Sequence, residues 1–426
     1  MSLSNQFQLL TKRKFLPLFI TQFLNALNDN IFRNSIVVLI TYRIAEKTHM
    51  NSGLLVTITT GLFVLPFLLF SAVAGQVADK YEKSKLIRII QITEVFLIIL
   101  GGIGFLTTNL FLLMFTTFMV SVRATSFGPL KYAILPQLLD DKELLYGNGL
   151  VSASTFIAIL LGSILGGILV LKTMGTYMVS ILIVLVAFGG LISSLFIPRA
   201  SSSAADLKVN YNIFSETWRI LAYSTETKKI FVYIIGISWF WWIGTIFMTQ
   251  LPLFVKNTIG ADQNVYLFFL TLFSIGVAMG SILYNYLSRG KIHEIYVLLA
   301  AIGITLFILD LLFSSQKIIL QDQAKLLDMS QFLIYGYSWR ISMDLLLISI
   351  LGGIYIVPLY TLLQVHSEES HRSRIIASNN IMGSLFMVIA SLFCTVMLAM
   401  HFSVTDIFLA TAVANIFMAL YLFRGC

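Results

Sequence analysis

Apolar runs of 20 residues or more recur along this 426-residue chain, and they constrain its fold more than any other feature. A helix rises about 1.5 Å per residue, so about 20 residues cross the ~30 Å hydrocarbon core of a bilayer. Charged residues make up only 11% of the chain, against about a quarter in a soluble domain. That shortage excludes an ordinary soluble enzyme, a disordered chain and a nucleic-acid-coating protein. The reading is an all-α membrane protein.

The runs predict twelve transmembrane helices, at about 15–42, 53–79, 86–107, 110–132, 144–171, 176–198, 229–256, 264–288, 293–313, 342–365, 374–400 and 404–424. With the N-terminus inside, 19 Lys/Arg fall on the cytoplasmic side and 7 outside, with Arg33 and Arg123 inside spans. Cytoplasmic loops collect Lys and Arg, so both termini are expected in the cytoplasm. Much of the net charge of +8 therefore records topology. Lys12, Arg13 and Lys14 precede the first span, but that segment runs on through Asp29 and Arg33, so no cleavable signal is expected. Cys394 sits in an apolar run and Cys426 is the last residue, a pattern that suggests neither a disulfide framework nor a metal site.

A polar connection from Arg199 to Lys228 divides the chain into a first six-helix bundle (1–198), a cytoplasmic linker (199–228) and a second bundle (229–426). Within the linker, the stretch Phe214–Ile220 has the pattern of a short amphipathic surface helix. Gly75 to Lys85 at the end of the second span is echoed by Gly280 to Lys291 at the end of the eighth. Pro129-Leu-Lys131-Tyr in the fourth is echoed by Pro358-Leu-Tyr360 in the tenth. Offsets of that kind fit two parallel, pseudo-symmetric repeats.

Ionisable side chains in a span cost at least about 2.5–3.5 kcal/mol at mid-bilayer, so they face a cavity or a partner. Gln22, Asn25, Asp29 and Arg33 are spaced three, four and four apart and so form one stripe on the first span. Asp29 lies about 21 Å into that span, and Arg33, one turn on, is placed to neutralise it in part. The stripe reads as the wall of a substrate path; the competing reading is a packed ion pair. Glu94 and Arg123 are either further path groups or partners of one another. Lys131, at the end of the fourth span, and Tyr360, in the corresponding place in the tenth, are further candidate substrate-binding residues. Trp239, Trp241 and Trp242 lie mid-span between Gly236 and Gly244, which suggests a bendable helix lining a pocket with Trp239 as its substrate-binding residue, and ordinary packing as the alternative. Asp310 and Asp344, near outer helix ends, read as solvated acids. The loop Gly75-xxx-Asp79-Lys80-xx-Lys83-x-Lys85 reads as a conformational latch: Gly75 permits close approach, Asp79 accepts from a helix N-terminus, and the lysines reach carboxylates or headgroups.

At these residues the chain resembles the major facilitator superfamily. The Gly75/Asp79/Lys80/Lys83 loop is similar to that family's signature between its second and third helices, with Glu82 where a second glycine is usual. A closer resemblance is to bacterial lysophospholipid transporters. It is carried by Pro17 to Asn34, Phe127 to Gln137, Thr245 to Pro252 and Gln364 to Asn380. This chain departs from them at Arg123, where an uncharged polar residue is expected, and at Asn285, where an acid is usual.

The resemblance implies the major facilitator fold and a flippase-like carrier in the inner membrane of a Gram-negative bacterium. Such carriers move lysophospholipids to the cytoplasmic leaflet for reacylation. The expected partners are lysophospholipid, membrane lipid and a separate acyltransferase at the cytoplasmic face, with no nucleic acid, cofactor or metal. In the mechanism this suggests, the phosphate meets Arg33 or Arg123, the amine meets Asp29 or Glu94, and Lys131 takes the phosphate as the carrier opens inward. The main rival is an exporter of drugs or siderophores on the same fold. An embedded acyltransferase would need a reactive His, Cys or Ser with an orienting partner. His49, His293, His366, His371 and His401 all sit at or near loops without one, so no enzyme is expected.

Overall fold

The structure is a computed structural model describing residues 6–44, 52–315 and 326–425; Lys47, His49, Lys317, Lys325 and Cys426 lie outside the described residues. It contains fourteen helices: α1 Leu16–Leu39, α2 Ser52–Lys80, α3 Lys83–Thr107, α4 Leu110–Leu138, α5 Asp141–Leu171, α6 Gly175–Leu195, α7 Ile213–Glu226, α8 Lys228–Leu253, α9 Gln263–Leu287, α10 Ile295–Ser315, α11 Met329–Ile334, α12 Gly336–His366, α13 Arg372–Ala399 and α14 Val404–Gly425. Twelve are long; α7 and α11 are the short ones. Eleven of the long helices are long and apolar enough to cross a bilayer. The twelfth, α1, carries Asn25, Asn28, Asp29, Asn30, Arg33 and Asn34 within its 24 residues.

Helix packing repeats between the halves. α1 packs on α5, α2 on α4 and α3 on α6, and in the same relation α8 packs on α13, α9 on α12 and α10 on α14. Two seams join the halves, α2 with α13 and α5 with α9, again as equivalents. The architecture is thus twelve helices in two pseudo-symmetric bundles. An isolated parallel bridge between Ala261 and Leu327 is the one strand-like pairing among the described residues.

Several boundaries moved for local reasons. α4 starts behind the N-cap Asn109, which holds Leu112 N at 3.0 Å, and continues through Pro129 and Pro136 to Leu138. α5 begins at Asp141 behind a capping box formed by Asp140 and Glu143. α2 and α3 are separated by only two residues, so the latch sequence is mostly helical: Gly75, Asp79 and Lys80 close α2, while Lys83 and Lys85 open α3.

Among the described residues, the hydrogen bonds and ring stacks between the halves run from mid-membrane to the end where Asp79 sits. On α5 they involve Asn148, Ser152 and Phe156, and on α4 Tyr132 and Gln137. At the opposite end α13 is largely exposed beyond Leu385, and a side chain added at Gly61 of α2 or Gly244 of α8 would meet no atom within 4 Å. The halves are therefore clasped at one end and parted at the other.

Candidate functional site

The polar stripe of α1 resolves into two parts. Gln22 and Asn25 turn into the first bundle: Gln22 Nε2 donates to Ser154 Oγ and Thr155 Oγ1 donates to Gln22 Oε1 at 3.2 Å, while Asn25 lies beside Gly190 and Gln91. Both are almost fully buried, so in this state neither fronts the gap. Asp29, one and two turns further on, is 14% exposed and forms a close ion pair with Arg123 of α4. Arg123 also lies 3.4 Å from Glu94 Oε2 of α3, whose other oxygen accepts from Asn28 Nδ2 at 3.1 Å. Arg123 is thus the bridge between buried Glu94 and partly exposed Asp29. Removing one member of such a cluster is far costlier than its net contribution suggests.

The expected neutralisation of Asp29 by Arg33 is not made. Asp29 swings to α4 for the stronger guanidinium contact. Arg33 donates to Asn30 Oδ1 at 3.2 Å and lies 5.1 Å above the Phe63 ring of α2. Below the ion-pair cluster, two turns down α4, half-buried Lys131 lies 4.7 Å over the ring of Tyr132. Among the described residues neither Arg33 nor Lys131 has a carboxylate within 4 Å. Partly exposed Asp29, Arg33 and Lys131 therefore mark one track from the parted end toward the clasped one, with Arg123 and Glu94 buried behind Asp29. The track carries a surplus of positive charge.

Aromatic rings close its lower end. Tyr132 stacks on Tyr360 of α12 at 4.4 Å, Trp241 Nε1 donates to Tyr360 Oη at 3.5 Å, and Phe156 of α5 stacks against Trp241 at 6.5 Å. Trp239 is elsewhere: it lies within the second bundle, stacked on Trp242 at 4.3 Å and donating to Asn415 Oδ1 at 2.8 Å. The sequence reading singled out Trp239 as the binding residue; the tryptophan that reaches the first half is instead Trp241. Helical phase carries the signal, because Trp239 and Trp242 share a face with the apolar core while Trp241 shares one with the open Gly244. Asp344 also differs from expectation: it is 2% exposed rather than solvated, while Asp310 is bound by Arg340 Nε at 3.0 Å.

At the clasped end Asp79 is fully buried and caps α13. Its carboxylate accepts from Ser373 N at 3.0 Å, Arg374 N at 3.3 Å and Arg374 Nε at 3.0 Å. Gly75, one turn back, allows this, since a Cβ there would sit 2.7 Å from that of Ala377 and 3.0 Å from the backbone of Arg374. The lysines part company with the expectation. Lys83 is buried beneath the linker and donates to Ser203 Oγ at 2.6 Å, so it reaches no headgroup; Lys80 lies over Tyr81 at 5.6 Å, and Lys85 is exposed. A second belt backs the cap, in which Asn148 Nδ2 donates to Thr361 Oγ1 at 3.0 Å and to Gln364 Oε1 at 2.5 Å. The equivalent seam, α5 with α9, has no counterpart to the Asp79 cap. Asn285 there lies against Gly149 with both amide atoms buried and without a hydrogen-bond partner.

Gly75→Val tests the close approach. Overpacking there should cost the clasped state about 1–3 kcal/mol, roughly 5- to 150-fold in the ratio of clasped to parted states. Spin labels at exposed Lys85 and Glu368 should then report longer distances; an unchanged distribution would count against the seam as the moving joint.

Comparison with known proteins agrees with this geometry. The Major Facilitator Superfamily model matches residues 18–391. The chain is 27% identical over 383 residues to the "Lysophospholipid transporter LplT" of Photorhabdus laumondii subsp. laumondii, covering 87% of this chain and 84% of the relative. It is 28% identical over 362 residues to the protein of that name from Escherichia coli O1:K1, covering 82% and 80%. In fold it is similar to the human organic anion transporter MFSD10 (TM-score 0.74, 12% identity, 96% of this chain and 99% of that one). It is similar also to the transporter FucP in the outward conformation (TM-score 0.70, 11% identity, 97% and 98%). Twelve helices in two equivalent bundles, clasped through an aspartate-capped helix and matched over most of their length, establish that the chain belongs to the major facilitator superfamily of membrane transporters.

Proposed function

We propose that this transporter carries lysophospholipids across the inner membrane of a Gram-negative bacterium, toward the cytoplasmic leaflet, by rocking of its two halves. The observation that carries this reading is the cation surplus on a track that also presents a partly exposed carboxylate. A lysophospholipid headgroup is a phosphate, often with an amine beside it. Arg33 meets the phosphate near the parted end, Asp29 meets the amine, and Lys131 receives the phosphate lower down. The single acyl tail lies along apolar helix faces in the gap between halves. Both termini and the Asp79 latch lie on the cytoplasmic side, as the distribution of Lys and Arg favours. The names of the similar proteins support this substrate. Reacylation of the delivered lipid belongs to a separate acyltransferase at that face.

Headgroup-resolved uptake of lysophosphatidylethanolamine and lysophosphatidylglycerol into vesicles, with and without imposed ion gradients, tests the reading. Lys131→Ala and Arg33→Ala should each slow both lipids by at least about tenfold, the loss of one charge-assisted hydrogen bond. Asp29→Asn should slow the amine-bearing lipid more. Wild-type rates in all three would overturn the assignment. Competition by drugs or siderophores, with lysolipids ignored, would favour the exporter.

A further inference from the structure

The linker helix α7 lies along the seam between α2 and α13. Its buried row is Glu216, Ile220 and Ser224. Ile220 packs with Ala72 of α2 and Ile381 of α13, Ser378 Oγ donates to Ser224 Oγ at 2.9 Å, and Asn210 just upstream is bound to Gln76 at 2.9 and 3.1 Å. The helix therefore touches both halves.

The depth of these contacts is informative. α2 has 29 residues, about 43 Å, so it overhangs a ~30 Å hydrocarbon core by about 6 Å at each end. Ala72 lies eight residues from the Lys80 end and Ile381 nine from Arg372, about 12–13 Å along each helix. Ile220 thus sits roughly 6 Å inside the boundary, within the range at which amphipathic helices rest in a leaflet.

The remaining surface of α7 is split by helical phase. Phe214 and Trp218, one turn apart, are 80% and 77% exposed and form one edge. Ser215, Arg219 and Glu226 form the other, with Arg219 held to Glu216 at 2.9 Å, and Lys228 and Lys229 are exposed just beyond the helix. An aromatic edge beside a charged edge, at this depth, is the pattern of a helix lying between acyl chains and water.

We propose that α7 is an interfacial anchor: Phe214 and Trp218 insert into the glycerol region of the leaflet on the Asp79 side, and the helix seals the α2–α13 seam from that leaflet's acyl chains. Parting of the latch then requires α7 to slide in the plane of the membrane.

Nitroxides attached at Trp218→Cys and at Ser215→Cys, with Cys394 and Cys426 changed to alanine, test this in phosphatidylethanolamine/phosphatidylglycerol vesicles. Oxygen should relax the label at 218 about threefold more than a water-soluble nickel chelate does, with the order reversed at 215. Chelate access at both positions would overturn the proposal and leave the aromatic edge facing water, where a soluble protein could reach it. A readout that keeps Trp218 in place guards against misfolding: the fluorescence lost on Trp218→Phe should be quenched by brominated lipid and not by iodide. Quenching of that component by iodide would equally overturn it.

Discussion

Arg123→Met is expected to destabilise the protein by about 3–5 kcal/mol and to abolish uptake, because it strands buried Glu94 and partly exposed Asp29 without a cation between them. Thermal unfolding in detergent and the yield of folded protein would show the loss. The triple variant Arg123→Met, Asp29→Asn, Glu94→Gln removes all three charges together. It should recover most of the stability, since replacing a whole buried cluster is often neutral where breaking it is not. Uptake should stay lost in the triple variant if the cluster meets the headgroup. Wild-type transport by the triple variant would reduce the cluster to a packing device and sink its proposed role.

Asp79→Ala is the second large effect. It removes three hydrogen bonds from the first turn of α13 and leaves Arg374, itself nearly buried, without its acid. Loss of a cap costs about 1 kcal/mol and loss of a buried counter-ion about 3–5 kcal/mol. The whole cost falls on the clasped state, because the parted state does not make these bonds. A shift of about 3 kcal/mol changes the ratio of the two states more than a hundredfold. Distances between labels at Lys85 and Glu368 should lengthen accordingly, and net uptake should collapse, since a carrier held in one state cannot alternate. Asp79→Asn should fall between the two, keeping one acceptor but no charge. An unchanged distance distribution in Asp79→Ala would show that the Asn148 belt alone holds the clasp.

Much of this was legible in the amino-acid order. Span number follows from apolar run length, and Asp29 stood out because a mid-span acid is expensive. The reading of Asp79 as a helix cap also followed from position, since it closes a helix beside a short turn and an acid there seeks backbone N–H donors. Other features were not legible. Gln22 and Asn25 share a stripe with Asp29, yet they lie about 6–10 Å nearer the clasped end, where they meet α5 and α6 while Asp29 meets the gap. Lys83 looked like a surface cation and is buried because the linker backbone at Ala200 to Ser203 folds over it.

Local chemistry along the chain therefore decided which segments form long apolar helices and which of them carry the costly polar groups, because each depends on periodicity and on the free energy of placing one side chain in hydrocarbon. Partnership was decided only once the helices packed. Whether Asp29 takes Arg33 or Arg123, whether Trp239 or Trp241 faces the other half, and which seam is capped all depend on helix rotation and height. Those are set by contacts between residues about 100 or more positions apart, which no local pattern encodes.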